Sequence, residues 1–419
     1  MHFIVQGWRV CQPEKNLFSS LCKNKLDFAG AKSILFLLKR EFKEFSHHIT
    51  VSNEITPLTQ LYDRYNFVVV PRYIMEEKVN WEKYCAEFRK EAELKGRNEE
   101  YCDKWLRYAK TLYDKQLPII YNQEHLCLLL GYKKDYVFAV SNSALNFYRN
   151  YEIPKRNGGI RKISEPLPSL KEIQRWILDN VLSAIDISVY AKAYVKKKSI
   201  KENARFHKRQ EVVLSLDVEN FFDSITSDKI YYLFSGLGYK EDVAVMLTNL
   251  CCLNGCLPQG APTSPMLSNI ILKDFDNIIG KYTNENKIRY TRYADDMTFS
   301  GDFSSGKIIS FVKKNLYKLG LKLNESKTRT RTKGQCQEVT GIVVNQKMQL
   351  PKSVRKKIRQ EIYYIRKFGL ESHMQHCNID KENYLCHLKG RIQYGLFINP
   401  YDYELQDYLS YLKRVYEKY

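Results

Sequence analysis

Residues 288–301 read Ile-Arg-Tyr-Thr-Arg-Tyr-Ala-Asp-Asp-Met-Thr-Phe-Ser-Gly, and this stretch decides the fold. β-Branched and aromatic residues flank the two acids on both sides, and a Ser-Gly turn signal closes the stretch. The pattern predicts a β-hairpin whose bend lifts Asp295 and Asp296 clear of the sheet. Two adjacent carboxylates repel each other, so the arrangement is costly unless a divalent cation or another positive group lies against it. For the dipeptide alone, an ordinary solvated Asp-Asp turn is the alternative.

A third carboxylate is expected beside this hairpin. Residues 212–217 have the pattern of a short apolar strand, and that strand ends at Asp217. On a strand next to the hairpin, Asp217 would complete an oxygen cage for two Mg²⁺ ions, with Mn²⁺ as a substitute. Two such ions clamp the attacking and leaving oxygens of an in-line phosphoryl transfer, which is the reaction of a nucleotide polymerase.

A loop rich in glycine and proline lies between these two elements in the sequence. Residues 257–269 read Leu-Pro-Gln-Gly-Ala-Pro-Thr-Ser-Pro-Met-Leu-Ser-Asn and run into an apolar helix. Small residues in such a loop let a base pair lie close against the backbone.

In this order the motifs resemble those of reverse transcriptases, and within that group those of bacterial retrons. The likeness covers about residues 118 to 419. Asp217 with the following Phe-Phe pair resembles the first palm motif, residues 257–269 the Gln-Gly motif, and Tyr293 to Asp296 the catalytic hairpin.

Two short elements narrow the resemblance to retrons. Residues 203–207, Asn-Ala-Arg-Phe-His, are similar to the retron Asn-Ala-x-x-His element. Residues 339–341, Val-Thr-Gly, are similar to the retron Val-Thr-Gly element. Either tripeptide alone would carry little information, but together with the palm motifs they are specific.

The resemblance implies an RNA-directed DNA polymerase, a nucleotidyltransferase that makes a short single-stranded DNA (msDNA) from a structured noncoding RNA in antiviral, anti-phage defence. The implied partners are that RNA and its DNA product, deoxynucleoside triphosphates and an effector protein. A non-retron defence-associated reverse transcriptase and a maturase-like enzyme are the alternatives within the enzyme class. An RNA-binding scaffold with lapsed polymerase activity is the alternative from another class, and three intact carboxylates argue against it.

The resemblance also assigns roles to individual residues. The catalytic residues would be Asp217, Asp295 and Asp296, and the same three with Val218 would hold the metal. The nucleotide-binding residues would be Lys155, Arg161, Phe222, Gln259 and Lys327. The RNA-binding residues would be Asn203, His207, Lys352, Arg355, Lys356 and Arg359.

Phe222 and its neighbour Phe221 are expected to have different roles. Phe222 stands where the family has an aromatic steric gate, a ring that would clash with a 2′-hydroxyl under the incoming sugar. Phe221, one residue earlier on a strand, is expected to face the opposite way and pack in the core.

Residues 151–163 predict two short strands joined by a Gly-Gly turn. A basic hairpin of this kind can fold over an incoming triphosphate. The planar guanidinium of Arg161 suits bidentate contact with phosphates, and Lys155 would assist it. An exposed basic turn without that role is the alternative.

Residues 192–209 are strongly basic, with eight Lys and Arg against the single acid Glu202. Tyr194 and Phe206 interleave with these charges. Cationic groups for phosphates and flat rings for stacking predict a template track, with a solvated basic helix as the alternative. His207 is interpreted as structural or RNA-contacting, because two-metal chemistry does not demand a general base.

The totals agree with a polyanionic partner. The chain of 419 residues has 67 Lys and Arg against 47 Asp and Glu, a net charge of +20, which suits RNA or DNA; an acidic lipid surface is the rival. No stretch approaches the roughly 18 apolar residues of a membrane span, and the start lacks the build of a secretory signal. We therefore expect no membrane partner and a cytoplasmic location, where the 11 cysteines would stay reduced.

The predicted fold is α+β: a right-hand polymerase with fingers, palm and thumb, preceded by a mostly helical N-terminal extension. Its predicted domains are residues 1–117 as the extension of unknown role, 118–350 as fingers and palm, and 351–419 as a helical, RNA-binding thumb. Within the extension, apolar spacing predicts a helix over residues 32–45. Two further helices are expected around Trp81 and Tyr101, with a break between them at Gly96.

Overall fold

A computed structural model of the chain describes residues 80–155, 158–378 and 383–416. The helix predicted over residues 32–45 lies outside the described residues. Helices and strands are numbered here from the first described helix.

Two helices open the described part of the chain, α1 (Trp81–Leu94) and α2 (Glu99–Asp114). Gly96 lies between them with a φ of 66°, a left-handed value that glycine adopts without strain. The predicted pair of helices and the break at Gly96 are therefore confirmed.

Helix α2 is fastened to the polymerase region. The Tyr108 hydroxyl donates to the Ile120 carbonyl at 2.6 Å. The Lys115 ammonium donates to the carbonyls of residues 236 and 237 at 3.1 and 2.8 Å, and the Lys240 ammonium lies 4.5 Å from the centroid of the Trp105 ring. The described residues from 97 onward belong to one compact unit. These contacts cross the domain boundary predicted after residue 117, and the boundary itself stays a prediction.

The next elements follow in chain order. They are α3 (Gln123–Leu130), α4 (Lys134–Asn142), β1 (Tyr148–Pro154), β2 (Ile160–Pro166), α5 (Pro168–Asn180), α6 (Ile200–Phe206), β3 (Val212–Asp217), α7 (Ser227–Leu237), α8 (Glu241–Cys251), α9 (Ser264–Ile271), α10 (Lys273–Glu285), β4 (Arg289–Tyr293), β5 (Asp296–Gly301) and α11 (Ser305–Lys318). After them come β6 (Arg329–Thr332), β7 (Glu338–Val339), β8 (Ile342–Val343), α12 (Lys352–Phe368), α13 (Leu370–His376), α14 (Tyr384–Ile398) and α15 (Tyr403–Tyr416). Short 3₁₀ turns lie at Ala144–Phe147, Leu182–Ala184 and Glu325–Lys327.

A four-stranded antiparallel sheet forms the palm, with the order β4-β5-β3-β6. The predicted hairpin is the β4–β5 pair, and the predicted apolar strand is β3 in its centre. The register sets Asp217 directly opposite Asp296. Two elements distant in sequence thus bring their acids to the same end of the sheet.

The two faces of the palm sheet have different neighbours. Side chains alternate along a strand, so Tyr290 and Phe299 share one face and Thr291 and Ser300 share the other. The rings of Tyr290 and Phe299 are buried and stacked with centroids 4.9 Å apart. The Tyr290 hydroxyl donates to Asp276 of α10 at 2.7 Å, so α10 covers that face.

The C-terminal helices share one hydrophobic core with the β7–β8 hairpin. This cluster includes Val339, Ile342, Ile358, Ile362, Leu388, Ile392, Leu405 and Leu412, all buried. The helical pattern predicted beyond residue 351 is confirmed. Among the described residues, none of the helices has the length and apolar character that crossing a membrane requires.

Candidate active site

The hairpin bend is a two-residue loop of Ala294 and Asp295, because Tyr293 pairs with Asp296. Ala294 has a φ of 60°, a left-handed value that residues with a Cβ rarely adopt. One Arg292 Nη1 hydrogen donates to the Ala294 carbonyl at 3.0 Å. The guanidinium therefore holds the bend in this unusual conformation from inside the protein.

Arg292 is itself locked in place. Its Nη2 lies 2.7 Å from Asp276 Oδ2 and its Nε lies 2.9 Å from Asp276 Oδ1, and both side chains are fully buried. A third contact runs from Nη1 to Asn269 Oδ1 at 3.2 Å. An isolated charge would be very costly here, so neither partner can leave without a large penalty. Sequence reasoning missed this pair, although a charge at an inward-facing strand position was the available signal.

Three carboxylates gather at the bend. The backbone N–H of Val218 donates to the Asp295 carbonyl at 3.1 Å, which ties the end of β3 to the hairpin. Desolvation and the neighbouring Asp295 and Asp217 raise the pKa of Asp296 to about 7. Desolvation and Asp217 likewise raise the pKa of Asp295. Such mutual repulsion is relieved by a bound cation.

A lysine already supplies one positive charge. Lys327 Nζ lies 2.9 and 3.1 Å from the two carboxylate oxygens of Asp217. This hydrogen bond raises the pKa of Lys327. Within the described ranges, no three His, Cys, Asp or Glu side chains are arranged as a ready-made metal site. The donor chemistry still fits hard divalent cations, since crowded carboxylate oxygens are the ligands such ions prefer.

The fingers place Arg161 toward these acids. Arg161 is exposed on β2, where it pairs with Ile153 of β1. Desolvation is the main influence on the pKa of Asp295 and raises it, whereas the charges of Lys327 and Arg161 lower it. Lys155 is exposed just beyond β1, and its backbone N–H donates to the Gly159 carbonyl at 3.0 Å. The hairpin predicted over residues 151–163 is confirmed.

The Gln259 loop is docked on the same finger strand. The Ser164 N–H donates to the Gln259 carbonyl at 2.9 Å. Gly260 has a φ of 135°, and a Cβ there would lie 2.6 Å from the Ser164 carbonyl oxygen. Only glycine fits this approach, so the loop and the finger hairpin are held together through backbone atoms.

The two phenylalanines after Asp217 differ in burial, as expected. Phe221 is buried and Phe222 is half-buried, with ring centroids 5.2 Å apart. The prediction that Phe221 packs in the core is confirmed. The reason given for it is wrong, because β3 ends at Asp217 and both rings lie in the turns that follow.

Asn203 and His207 lie inside the protein. A capping box of Ser199 and Glu202 starts α6 and sets the helix on the sheet face that carries Thr291. Asn203 is 1% exposed and His207 is 0% exposed, and both are hydrogen-bonded to protein groups. Their burial favours a structural role, which was one of the two interpretations of His207, and the RNA-binding assignment of both residues stays a prediction.

The basic residues of α12 divide into two pairs. Arg355 donates to Asp402 and Glu404, and Arg359 donates to Glu404 at 2.5 and 3.1 Å. Their charges are thus already matched by acids around the start of α15. Lys352 and Lys356 are exposed. The structure leaves the RNA-binding prediction for the two lysines open and weakens it for the two arginines.

The residues of the basic segment before β3 do not all lie beside the three carboxylates. Tyr194 is half-exposed near the hairpin bend, where desolvation and Asp295 raise the pKa of its phenol. Phe206 lies at the opposite end of β4, with the Arg289 guanidinium 5.7 Å from its ring centroid. Only the first part of the predicted template track therefore lies beside the carboxylates.

Comparison with known proteins gives results that agree with this geometry. Residues 153–359 match the family model described as "Reverse transcriptase (RNA-dependent DNA polymerase)". The chain is 32% identical over 278 residues to the retron Ec86 reverse transcriptase of Escherichia coli, covering 65% of this chain and 83% of that protein. It is 31% identical over 308 residues to the retron Mx65 reverse transcriptase of Myxococcus xanthus, covering 68% of this chain and 70% of that protein.

Solved structures match at lower sequence identity. A foamy viral protease-reverse transcriptase in complex with double-stranded DNA matches with a TM-score of 0.35 and 17% identity, covering 59% of this chain and 35% of that one. A telomerase from Candida albicans in complex with a telomeric RNA fragment matches with a TM-score of 0.38 and 11% identity, covering 63% of each chain.

Proposed function

The chain belongs to the retron reverse transcriptases and is an RNA-directed DNA polymerase with a right-hand fold, and from this premise we propose that Asp217, Asp295 and Asp296 are its catalytic centre. We propose further that the template is a structured noncoding RNA specific to the chain, and that the product is a short single-stranded DNA.

One observation carries the assignment of the centre. Asp217 and Asp296 face each other across paired strands, and Asp295 follows on the bend. Burial and, after it, the neighbouring carboxylates raise the pKa values of Asp295 and Asp296, and the Lys327 ammonium lies against Asp217. Polymerases of this family use divalent metal ions, and we propose Mg²⁺ held by the three carboxylates with Val218. Bound there, the ions would stabilise the charge that develops on the transferring phosphoryl group.

The remaining residues position the substrates. Arg161 and Lys155 are proposed to receive the triphosphate, since both are exposed on the finger hairpin. Gln259 and its loop would support the new base pair, and the half-buried Phe222 would exclude a 2′-hydroxyl. Lys327 would leave Asp217 for the departing phosphate as the cations bind.

The proposed thumb, helices α12–α15, offers a surface for folded RNA. Lys352 and Lys356 are exposed at the start of α12. Further along the helix Tyr363 and Phe368 are each 54% exposed, with the Lys367 ammonium 5.7 and 5.1 Å from their ring centroids. Cations beside open aromatic faces suit phosphates and unstacked bases. Anti-phage defence with an effector protein stays a prediction from the resemblance.

Replacing Asp295 with Asn tests the centre. The amide cannot offset the charge of the cations, so primer extension should be abolished while RNA affinity stays nearly unchanged. Asp302→Asn is the matched control, because Asp302 is an exposed acid just beyond the far end of β5. Wild-type extension by the Asp295→Asn protein would refute the assignment.

The product tests the retron-type reaction. Retron enzymes resemble one another in priming from a 2′-hydroxyl of their own RNA, so wild-type protein should co-purify with one abundant RNA carrying branched DNA. Debranching enzyme should separate the two strands, and Asp295→Asn protein should retain the RNA without DNA. Long or unbranched DNA from the active enzyme would contradict this reaction.

A further inference from the structure

Four polar side chains form a continuous hydrogen-bonded chain beneath the catalytic hairpin. His207 Nδ1 lies 2.7 Å from Ser300 Oγ, and His207 Nε2 lies 2.7 Å from Thr291 Oγ1. Thr291 Oγ1 in turn lies 2.7 Å from Asn203 Oδ1. All four side chains are essentially inaccessible to water, with exposures of 0 or 1%. Buried polar networks of this kind are costly unless every member is satisfied.

The direction of each hydrogen bond follows from the donors available. Asn203 Oδ1 can only accept, so the Thr291 hydroxyl must donate to it. Thr291 Oγ1 then has to accept from His207, which places the imidazole proton on Nε2. His207 Nδ1 is left to accept from the Ser300 hydroxyl. Each of these donor and acceptor atoms therefore has a defined role, and the neutral ring has its proton on Nε2.

The imidazole stays neutral in this position. Burial is the main cause that lowers the pKa of His207 to about 3, and the charges of Arg289 and Lys192 lower it further. A neutral ring keeps one donor and one acceptor nitrogen at neutral pH.

The series of hydrogen bonds continues to the second retron-like element, residues 339–341. Asn203 Nδ2 donates to Thr340 Oγ1 at 3.5 Å. Thr340 and Gly341 form the two-residue turn between β7 and β8, with φ values of 46° and 83°. A β-branched residue is a rare outlier in the left-handed region and persists only where its surroundings hold it. The contact with Asn203 gives a reason for threonine at this position.

The hydrogen-bonded chain lies on the same sheet face as the catalytic acid. Thr291 pairs with Thr298, and Tyr293 pairs with Asp296, so Thr291, Asp296 and Ser300 point to one side. The opposite face carries Arg292, which Asp276 holds. The catalytic hairpin is thus hydrogen-bonded to polar groups on both of its faces.

We propose that Asn203, His207 and Thr340 are positioning residues that fix the catalytic hairpin relative to the base of the C-terminal helices. We call them, with Thr291 and Ser300, the hydroxyl–imidazole joint. Val339 and Ile342, which flank the β7–β8 turn, belong to the hydrophobic core of those helices. The joint therefore connects the elements proposed to hold the RNA with the strands that carry Asp295 and Asp296. This inference rests on the proposed catalytic centre.

Thr291→Val removes the central hydroxyl of the joint while keeping the size and the β-branch of the side chain. Single-turnover nucleotide addition should be measured on a pre-formed RNA complex, where burst amplitude reports the fraction of active enzyme and the rate reports its geometry. We expect the rate to fall by about ten- to a hundredfold while the amplitude is retained. A displacement of the catalytic carboxylates by up to about 1 Å would have an effect of this size. Thr291→Ser, which keeps the hydroxyl, should restore most of the rate.

Thr248→Val is the matched control. Thr248 is 4% exposed on α8, and its hydroxyl donates to the Ala244 carbonyl of its own helix at 2.7 Å. The same substitution there should leave the rate unchanged. Should Thr291→Val fail to fold, Ser300→Ala removes the last donor of the joint by deleting a single atom, and a fall in rate is expected for it too.

The outcomes separate the alternatives. A lower amplitude with an unchanged rate would mean that the joint only stabilises the fold, and that result overturns the proposal. Unchanged rate and amplitude in both variants would also overturn it. An inactive wild-type protein would instead refute the proposed catalytic centre. A rate lowered in Thr291→Val and restored in Thr291→Ser supports the joint.

Discussion

Gly260→Ala should weaken nucleotide binding without unfolding the protein. A Cβ at this position would lie 2.6 Å from the Ser164 carbonyl oxygen and 3.1 Å from Ile163 Cγ2. Ordinary carbon–oxygen contacts are at least about 3.3 Å, so the loop must retreat by roughly 0.7 Å. That shift would stretch the 2.9 Å hydrogen bond from Ser164 to the Gln259 carbonyl beyond hydrogen-bonding distance.

The cost can be estimated from these two effects. Losing the hydrogen bond costs about 1 kcal/mol, and a non-glycine residue at the Gly260 φ of 135° costs about 1–2 kcal/mol. The contact between the loop and the finger hairpin is therefore destabilised by about 2–3 kcal/mol in total. At about 1.4 kcal/mol per factor of ten, this corresponds to a rise of about 30- to 150-fold in KM for the incoming nucleotide.

Steady-state extension on a fixed RNA template with varied deoxynucleotide concentration measures this effect. RNA affinity should stay unchanged, because the added Cβ would meet only Ser164 and Ile163 of the finger hairpin, away from the surface of α12 proposed for RNA. Gly236→Ala is the control, since a Cβ there meets nothing within 4 Å and the residue lies within α7. A KM within twofold of wild type in folded Gly260→Ala protein would refute the close approach.

Asp276→Ala should lower the free energy of unfolding by about 3–5 kcal/mol in a urea titration, because it leaves the buried Arg292 guanidinium unpaired. Combining it with Arg292→Met should recover part of that loss, and no recovery would argue against the unpaired charge as the cause. Phe222→Ala should raise incorporation of ribonucleotides relative to deoxynucleotides in a competition assay, and unchanged selectivity in an active variant would exclude the steric gate. Since the pKa of Asp296 is raised to about 7, a proton must leave this carboxyl before a cation binds. Mg²⁺ affinity measured by calorimetry should therefore rise with pH through about 7 and level off above it. An affinity that does not change with pH would contradict the assignment of Asp296 as a metal ligand.

The palm was predictable from sequence because its signals are local. Alternating aromatic and β-branched residues on both sides of two acids specify a hairpin. The apolar run ending at Asp217 specifies a strand. Sequence order cannot give the register, yet the register is what sets Asp217 opposite Asp296. The expectation that Asp217 lies beside the hairpin came from the oxygen ligands that two metal ions need, and the resemblance to reverse transcriptases supported it.

The predicted domain boundary after residue 117 rests on sequence pattern alone. Pro118 marks a local break in helical pattern, but Lys115 reaches carbonyl groups of α7, and Tyr108 bonds to Ile120. Contacts between side chains and distant backbone carbonyls leave no trace in hydrophobic periodicity. A pattern break therefore marks the end of a helix, and it does not by itself show where a compact unit ends.

The basic and polar residues assigned to RNA were the least predictable, since charge alone does not distinguish a partner in RNA from a partner in the protein. Arg355 and Arg359 looked equivalent to Lys352 and Lys356 in sequence, yet acids near residue 402 pair with only the arginines. The same ambiguity applies to His207, which carries no charge here.

Burial decides these cases, and burial depends on tertiary packing. Asn203 lies on α6 and His207 caps its C-terminus four residues later, so the two side chains lie on one side of the helix. That face meets the polar side of the catalytic hairpin, where Thr291 and Ser300 offer hydroxyl groups. Asparagine and histidine serve there because each can donate and accept at once, which a hydroxyl-lined surface requires and an aliphatic residue cannot supply. A signature that identifies a family can therefore mark an internal contact near the catalytic residues, even where the neighbouring basic sequence suggests a surface for RNA.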